Sequence, residues 1–189
     1  MTEHALDAPA LVSGLATALG GEGWEADTAL DQPTLHVTGE RLLETCRYLR
    51  DTPGLLFHLL ADLTAVDWLH REPRYEVVYH LASPVERRRL RIKARVSGND
   101  PHIPTVAGIW PAAGWLEREV WDLFGIVFDD HPDLRRLLMP DDWEGHPLRK
   151  DYPVQIKLAA NVSEPLQVTE EEFKARLEAD RHARTRRSQ

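Results

Sequence analysis

Residues 115–153, which read WLEREVWDLFGIVFDDHPDLRRLLMPDDWEGHPLRKDYP, join a helical beginning to a long irregular continuation. The first ten residues set acidic side chains beside an apolar stripe at helical spacing. The remainder passes through four prolines without helix or strand periodicity. A loop of that length in a compact domain is functional, lies on a partner or is disordered. It carries too many aromatic and aliphatic residues for a disordered linker, so we expect it to lie on a surface.

The size and composition of the chain are those of one globular domain, with an appended arm allowed by the length. It has 189 residues, 42% hydrophobic and 29% charged. The net charge of −8 argues against a nucleic-acid binder. No apolar run approaches the roughly 18–20 residues that span a bilayer. Residues 1–4 lack the basic and apolar regions of an export signal, so we expect a cytosolic location.

Cys46 is the single cysteine of the chain. One thiol excludes an intramolecular disulfide, a cysteine-rich zinc site and an iron–sulfur cluster, which needs about four thiolates. Its helical setting indicates a small buried thiol. We therefore expect no cysteine-ligated redox cofactor in this chain.

Hydrophobic periodicity predicts helices and strands in the order α-β-α-β-β-β-α. The first helix carries Leu11, Val12, Leu15 and Leu19 and stops at Gly20-Gly21. The later predicted elements are a strand at 34–38, a helix at 40–50, strands at 55–63, 74–81 and 87–96, a short helical piece at 105–109 and a helix at 112–124. The 55–63 strand is apolar on both faces, which predicts cover on two sides. This order indicates an α+β fold in which a small mixed or antiparallel sheet packs with helices.

Strand 87–96 alternates Leu90, Ile92, Ala94 and Val96 with Arg89, Arg91, Lys93 and Arg95. The basic row has two interpretations: the solvated face of an antiparallel sheet, or a stripe that meets an acidic partner. Nucleic acid is disfavoured because no aromatic residues interleave for base stacking.

Beyond the sheet we predict an extended C-terminal arm and a terminal helix. Thr169 and Glu172 form a capping-box pattern that opens a highly charged helix. The predicted organisation is an N-terminal helical segment (1–32), an α+β domain (33–128), an extended partner-docking arm (129–166) and a charged C-terminal helix or tail (167–189).

The acids of helix 112–124 do not form a catalytic pair. On a helical wheel, Glu117 and Glu119 fall on opposite borders of the apolar stripe of Leu116, Val120, Leu123 and Phe124. Arg118 points away and is spaced to pair with Asp122 along the helix. We expect Glu119, the more interior-facing glutamate, to hold a buried ion pair.

The irregular segment suggests neither a metal site nor a catalytic motif. The spacing of its acids and histidines (His131, Asp133, Asp141, Asp142 and His146) matches no zinc or di-metal pattern. No Gly-x-Ser-x-Gly elbow or P-loop is present in the sequence. A free-standing small hydrolase using Glu119, Asp122 and His131 remains a remote alternative.

Three runs of this stretch closely resemble one protein family. They are EREVWDLFGI (117–126), HPDLRRLLMP (131–140) and GHPLRKDYP (145–153). The family is the 30 kDa subunit of respiratory complex I, which is the C subunit of bacterial NADH-quinone oxidoreductase. The 33–128 region fits the family's domain as well.

The resemblance implies a structural and assembly subunit without cofactor, catalytic residues or metal ligands. It would belong to the peripheral arm of a proton-pumping translocase, attached to the cytoplasmic side of the cell membrane only through the complex. Its partners would be chiefly the 49 kDa-type D subunit, then the cluster-bearing B subunit, and the ferredoxin-like I subunit. The complex carries electrons from NADH through FMN and Fe-S clusters, both held by partner subunits, to quinone. The alternative is the equivalent subunit of a membrane-bound NiFe hydrogenase-like or related dehydrogenase complex.

The resemblance also implies a set of subunit-interface residues. They are Glu117, Arg118, Glu119, Asp122, Phe124, Gly125, His131, Pro132, Leu134, Arg135, Arg136, Pro140, Gly145, Arg149, Asp151, Tyr152 and Pro153.

Overall fold

The computed structural model describes residues 7–27 and 32–153. Its helices are α1 (Ala8–Leu19), α2 (Leu42–Asp51, preceded by a 3-10 turn at Gly39–Arg41) and α3 (Ala113–Phe124). Its strands are β1 (Trp24–Asp27), β2 (Thr34–Val37), β3 (Leu59–Asp67), β4 (Tyr75–Ser83), β5 (Arg88–Val96), β6 (His102–Pro104) and β7 (Val127–Asp129). The terminal helix and the tail predicted beyond 153 lie outside this range, and the predicted domain boundaries stay predictions.

A five-stranded mixed sheet in the order β1-β2-β5-β4-β3 forms the centre of the fold. Strands β3, β4 and β5 form an antiparallel meander, β2 joins β5 in parallel, and β1 pairs antiparallel with β2. A separate parallel pair, β6 with β7, brackets α3 in sequence. The predicted α+β class is confirmed.

One face of the sheet packs on the helices and forms the core. Residues of β5 at even positions, Leu90, Ile92, Ala94 and Val96, are buried as predicted. Tyr75, Val77, Tyr79 and Leu81 of β4 pair with them in register and are buried as well. The helices contribute Leu11 and Leu15 from α1, Leu42, Cys46 and Leu49 from α2, and Val120 and Phe124 from α3. The predicted burial of Cys46 is therefore correct.

The prediction of a doubly covered strand at 55–63 is wrong. Residues 55–58 form a loop in which Leu56 has a φ of 47° and Phe57 donates its backbone N–H to the carbonyl of Leu49. The indole N–H of Trp110 closes the loop by donating to the carbonyl of Phe57 at 3.0 Å. Strand β3 begins at Leu59, and its outward residues are mostly exposed. The apolar run at 55–57 thus lies in a loop that buries only Phe57 fully.

Smaller differences concern short elements. Strands β1, β6 and β7 were not predicted, because three or four residues carry too little periodicity. The predicted helical piece at 105–109 is a hydrogen-bonded turn, closed by the N–H groups of Ile109 and Trp110 on the carbonyl of Val106.

A core truncation tests this arrangement. Ile92→Ala should lower the free energy of unfolding by about 3–4 kcal/mol, because a fully buried side chain leaves a cavity. The matched change Val85→Ala, at a turn residue that is 67% exposed, should cost under about 0.5 kcal/mol. Urea unfolding of both variants gives the comparison, and equal costs would contradict the assignment of the core face.

Candidate functional site

The carboxylate of Asp122 organises the segment that follows α3. It is fully buried, and its Oδ2 accepts backbone N–H donors from Leu137, Leu138 and Met139 at 2.9, 2.7 and 2.9 Å. The guanidinium of Arg136 donates to Oδ1 at 2.7 Å. A buried carboxylate is stable only when donors compensate its charge, and four donors do so here.

The ionisation of Asp122 follows from these contacts. Burial by itself would raise the pKa of Asp122, but hydrogen bonds from Met139, Arg136, Leu137 and Leu138 outweigh it and lower the pKa to about 2. The group is therefore ionised at neutral pH, and the backbone of 137–139 stays closed around it.

Two arginines tie the same segment to α3. Arg136 also donates to the carbonyls of Asp122, Trp143 and Gly145 at 3.3, 2.7 and 3.1 Å. Arg118 donates to the carbonyls of Arg135 and Arg136, both at 3.1 Å. We call residues 131–152 the arm, and its path is fixed mainly by bonds to backbone atoms.

The end of α3 is shaped to receive the arm. Gly125 terminates the helix in the left-handed conformation (φ 73°), and a Cβ at this position would collide with the side chains of Arg149 and His146. Arg149 donates to the carbonyls of Phe124 and Gly125. A side chain at residue 125 would thus displace the arm as well as strain the helix end.

The distal end of the arm is clamped to the sheet by Asp67 and Arg74. Asp67 accepts from Arg74 at 2.7 Å and from the backbone N–H of Lys150 at 2.8 Å. Arg74 also donates to Asp151 at 2.8 and 2.9 Å. The hydrogen bond from Arg74 holds the pKa of Asp67 far below its usual range. The sequence analysis did not predict this clamp. A signal was present, because Asp67 stands four residues after Leu63 and therefore on the same, buried face of β3.

Glu117 is the second buried carboxylate of α3. It accepts from the hydroxyl of Thr105 and from the backbone N–H of Val106 at 2.7 Å. Burial raises the pKa of Glu117 to about 7, against the effect of these two hydrogen bonds. His131 Nε2 lies 3.8 Å from the carboxylate and 3.0 Å from the carbonyl oxygen of Gly114, so it is placed to donate to that carbonyl. The arm therefore begins beside Glu117.

Two expectations about α3 need correction. Glu117, not Glu119, is the interior glutamate, and Glu119 makes no hydrogen bond or ion pair among residues 7–27 and 32–153. Arg118 does not pair with Asp122, because Arg136 and backbone amides occupy that carboxylate. The arm lies on a surface, as expected, and its own chain supplies that surface, whereas its docking to a partner stays a prediction.

The buried stripe of α3 differs from the predicted one because it includes Glu117. Ala113, Glu117, Val120 and Phe124 are buried, whereas Leu116 and Leu123 are only half-buried.

In the part of the chain that the structure describes, no group of three or more His, Cys, Asp or Glu side chains is arranged to hold a metal.

Most of the residues expected at a subunit interface are engaged by their own chain. The residues that pack or form hydrogen bonds within the chain, of which Gly145 and Asp151 are nevertheless exposed, are Glu117, Arg118, Asp122, Phe124, Gly125, His131, Leu134, Arg136, Gly145, Arg149, Asp151 and Tyr152. The outward set is Glu119, Pro132, Arg135, Pro140 and Pro153, which are half-exposed or exposed. Their contact with another subunit stays a prediction.

The sequence profile of the family described as respiratory-chain NADH dehydrogenase, 30 Kd subunit, matches residues 35–157. The chain belongs to this family. It is 47% identical over 150 residues to the NADH-quinone oxidoreductase C subunit of Roseiflexus castenholzii, covering 79% of this chain and 86% of the relative. The expectation of a complex I subunit is confirmed.

Two further comparisons extend the family assignment. The NADH-quinone oxidoreductase C/D subunit of Methylococcus capsulatus is 43% identical over 182 residues, which are 92% of this chain and 30% of that protein. The solved trypsin-resistant fragment of Nqo5 is 33% identical, covers 68% of this chain and all of its own, and has a TM-score of 0.57. Within the described residues of this complex I 30 kDa family member, no helix is long and apolar enough to cross a membrane.

The Asp122 contacts predict a specific instability. Asp122→Asn should lower the free energy of unfolding by about 3 kcal/mol, because an amide cannot accept from all four donors. The control Glu119→Gln should change it by less than about 0.5 kcal/mol. Limited proteolysis should cut the arm only in the Asp122 variant, and an intact arm there would refute its anchoring role.

Glu117 predicts a pH-dependent stability. Its folded pKa of about 7 lies above the ordinary value of 4.5, so the folded state binds the proton more tightly. The free energy of unfolding should rise as pH falls from 8 towards 5, by roughly 3 kcal/mol from this group. The difference between the parent chain and Glu117→Gln, measured by urea unfolding at each pH, isolates the effect. A difference that is constant with pH would contradict it.

Proposed function

We propose that this chain is a cofactor-free structural subunit of the peripheral arm of proton-pumping NADH-quinone oxidoreductase, with a preformed arm for docking. The observation that carries the proposal is the attachment of the arm to its own chain by hydrogen bonds to Asp122, Arg118 and Asp67. A segment that is already fixed loses little conformational entropy when it binds, which favours a stable permanent interface.

The outward side of α3 and the arm offers anchors for a partner. Trp115, Leu138 and Leu148 are 62%, 60% and 50% exposed. Arg118 stacks on the Trp115 ring at 5.1 Å and holds it in place. Large exposed apolar side chains on a rigid support are typical of binding hot spots. We propose that these three residues, together with Arg135, whose side chain is 75% exposed, form the docking surface.

The partner proposed for the docking surface is the 49 kDa-type subunit. The C/D subunit of Methylococcus capsulatus supports this choice, because it carries the matching sequence as part of one longer chain. Linking two proteins covalently raises their effective concentration and preserves function only where the two are neighbours. The cluster-bearing small subunit, together with the ferredoxin-like subunit, is proposed as a further neighbour.

A structural role agrees with the state of the ionisable side chains. Asp122 and Glu117 are bound to internal donors, and burial raises the pKa of the Cys46 thiol far above neutrality. None of these groups is free to act as a nucleophile or redox ligand. We propose that FMN and Fe-S clusters reside in partner subunits, which move electrons from NADH to quinone. The protein would reach the cytoplasmic side of the membrane only through the complex.

Single charge insertions test the docking surface. Leu138→Asp and Leu148→Asp should each reduce recovery of a co-expressed 49 kDa-type subunit on an affinity-tagged chain at least tenfold, because a carboxylate would be buried against an apolar partner. The control Val85→Asp makes the same kind of change at the β4–β5 turn and should leave recovery unchanged. Circular dichroism must show the same fold for all three. Full recovery with both arm variants would overturn the proposal.

A further inference from the structure

The face of the five-stranded sheet opposite the core carries a basic row on its central strand. Arg89 and Arg95 are exposed, and Arg91 and Lys93 are half-buried. Alternate residues on one face of a strand are about 7 Å apart, so the row is an evenly spaced line of four cations. Such a line raises the electrostatic energy of the isolated chain.

The strands beside the row do not neutralise it. Its register neighbours are Thr34 and His36 on β2, and Glu76, Val78, His80 and Ala82 on β4. Glu76 is the one acid among these neighbours, and it is already bound by Lys93 at 3.5 Å and by the indole of Trp68 at 3.0 Å. Arg89 and Arg95 form no ion pair within the described part of the chain, and Arg91 donates to the amide oxygen of Gln32 at 3.4 Å.

The acids of this face stand at its two edges. Glu25 and Asp27 belong to β1, and Asp62 belongs to β3. The face is therefore basic along its middle and acidic at both sides, in a chain whose net charge is −8. Such a pattern selects a partner with a narrow line of negative charge rather than a broad anionic surface.

We propose that the row of Arg89, Arg91, Lys93 and Arg95 is a second docking surface, which binds an acidic polypeptide segment of a neighbouring subunit. A nucleic acid fits less well, because the register neighbours on β2 and β4 include no Phe, Tyr or Trp for base stacking and the acidic edges repel phosphates. The row lies on the face of the sheet opposite the core. The proposal rests on the proposed function only in taking the chain to be part of a complex.

Zero-length cross-linking in the assembled complex tests this surface. The variants Arg89→Lys and Arg95→Lys keep the charge and introduce amines that a carbodiimide couples to a carboxylate in direct contact. The amide forms, and the carbodiimide takes up the elements of water and leaves as a urea. The control Arg47→Lys places the same amine on an exposed position of α2. Mass spectrometry of complexes purified from membranes identifies the linked residues. The intrachain link between Lys93 and Glu76 serves as the internal positive control.

We expect residues 89 and 95 to link to aspartates or glutamates of another subunit, at yields at least fivefold above those of residue 47. Links confined to carboxylates of this chain, residues 154–189 included, would overturn the proposal, as would the absence of links when Lys93–Glu76 is recovered. Co-purification of nucleic acid that Arg89→Glu/Arg95→Glu abolishes would also overturn it. Because these variants leave Leu138 and Leu148 unchanged, a negative cross-linking result would contradict the second docking surface only and not the docking surface on the arm.

Discussion

One buried carboxylate determines how the chain continues after its last helix. Asp122 gathers three consecutive backbone N–H groups and one guanidinium, and no water is needed to satisfy it. Removing one of these donors would leave part of the buried charge without a hydrogen-bond partner, which costs several kcal/mol. The arm therefore has one favourable path around α3, even though residues 131–152 have no helix or strand of their own. Irregular backbone here is compatible with a defined conformation.

The other contacts of the arm reinforce this path at separate points along it. Glu117 and His131 lie at its start, and the contact of Arg149 with the end of α3 and the clamp of Asp67 hold its end. Because the start and the end of the arm are far apart in sequence, local opening at one of them leaves the other closed. Such distributed attachment suits the proposed docking role, since it keeps the outward side chains of the arm in place before a partner binds.

The sequence alone was sufficient for the fold class and for the strongly periodic elements. Strand β5 alternates so regularly that its core face was evident, and α3 was bounded to within a residue. The family, too, was recognisable from its motifs. The interior role of Glu117 was not accessible, because it depends on donors at Thr105 and Val106 whose position relative to α3 is set by tertiary structure. A helical wheel treats every carboxylate as polar, and only knowledge of the path of the arm reveals that Asp122 is enclosed.

The donors at 137–139 are main-chain amides, and this has an evolutionary consequence. Leu137, Leu138 and Met139 hold the carboxylate without using their side chains, so any residue except proline can supply the same hydrogen bond. The exposed side chain of Leu138 can therefore be exchanged for another without altering the geometry of the arm. The contacts of the arm with a neighbour can therefore change through side chains alone, while the hydrogen bonds that support it stay the same.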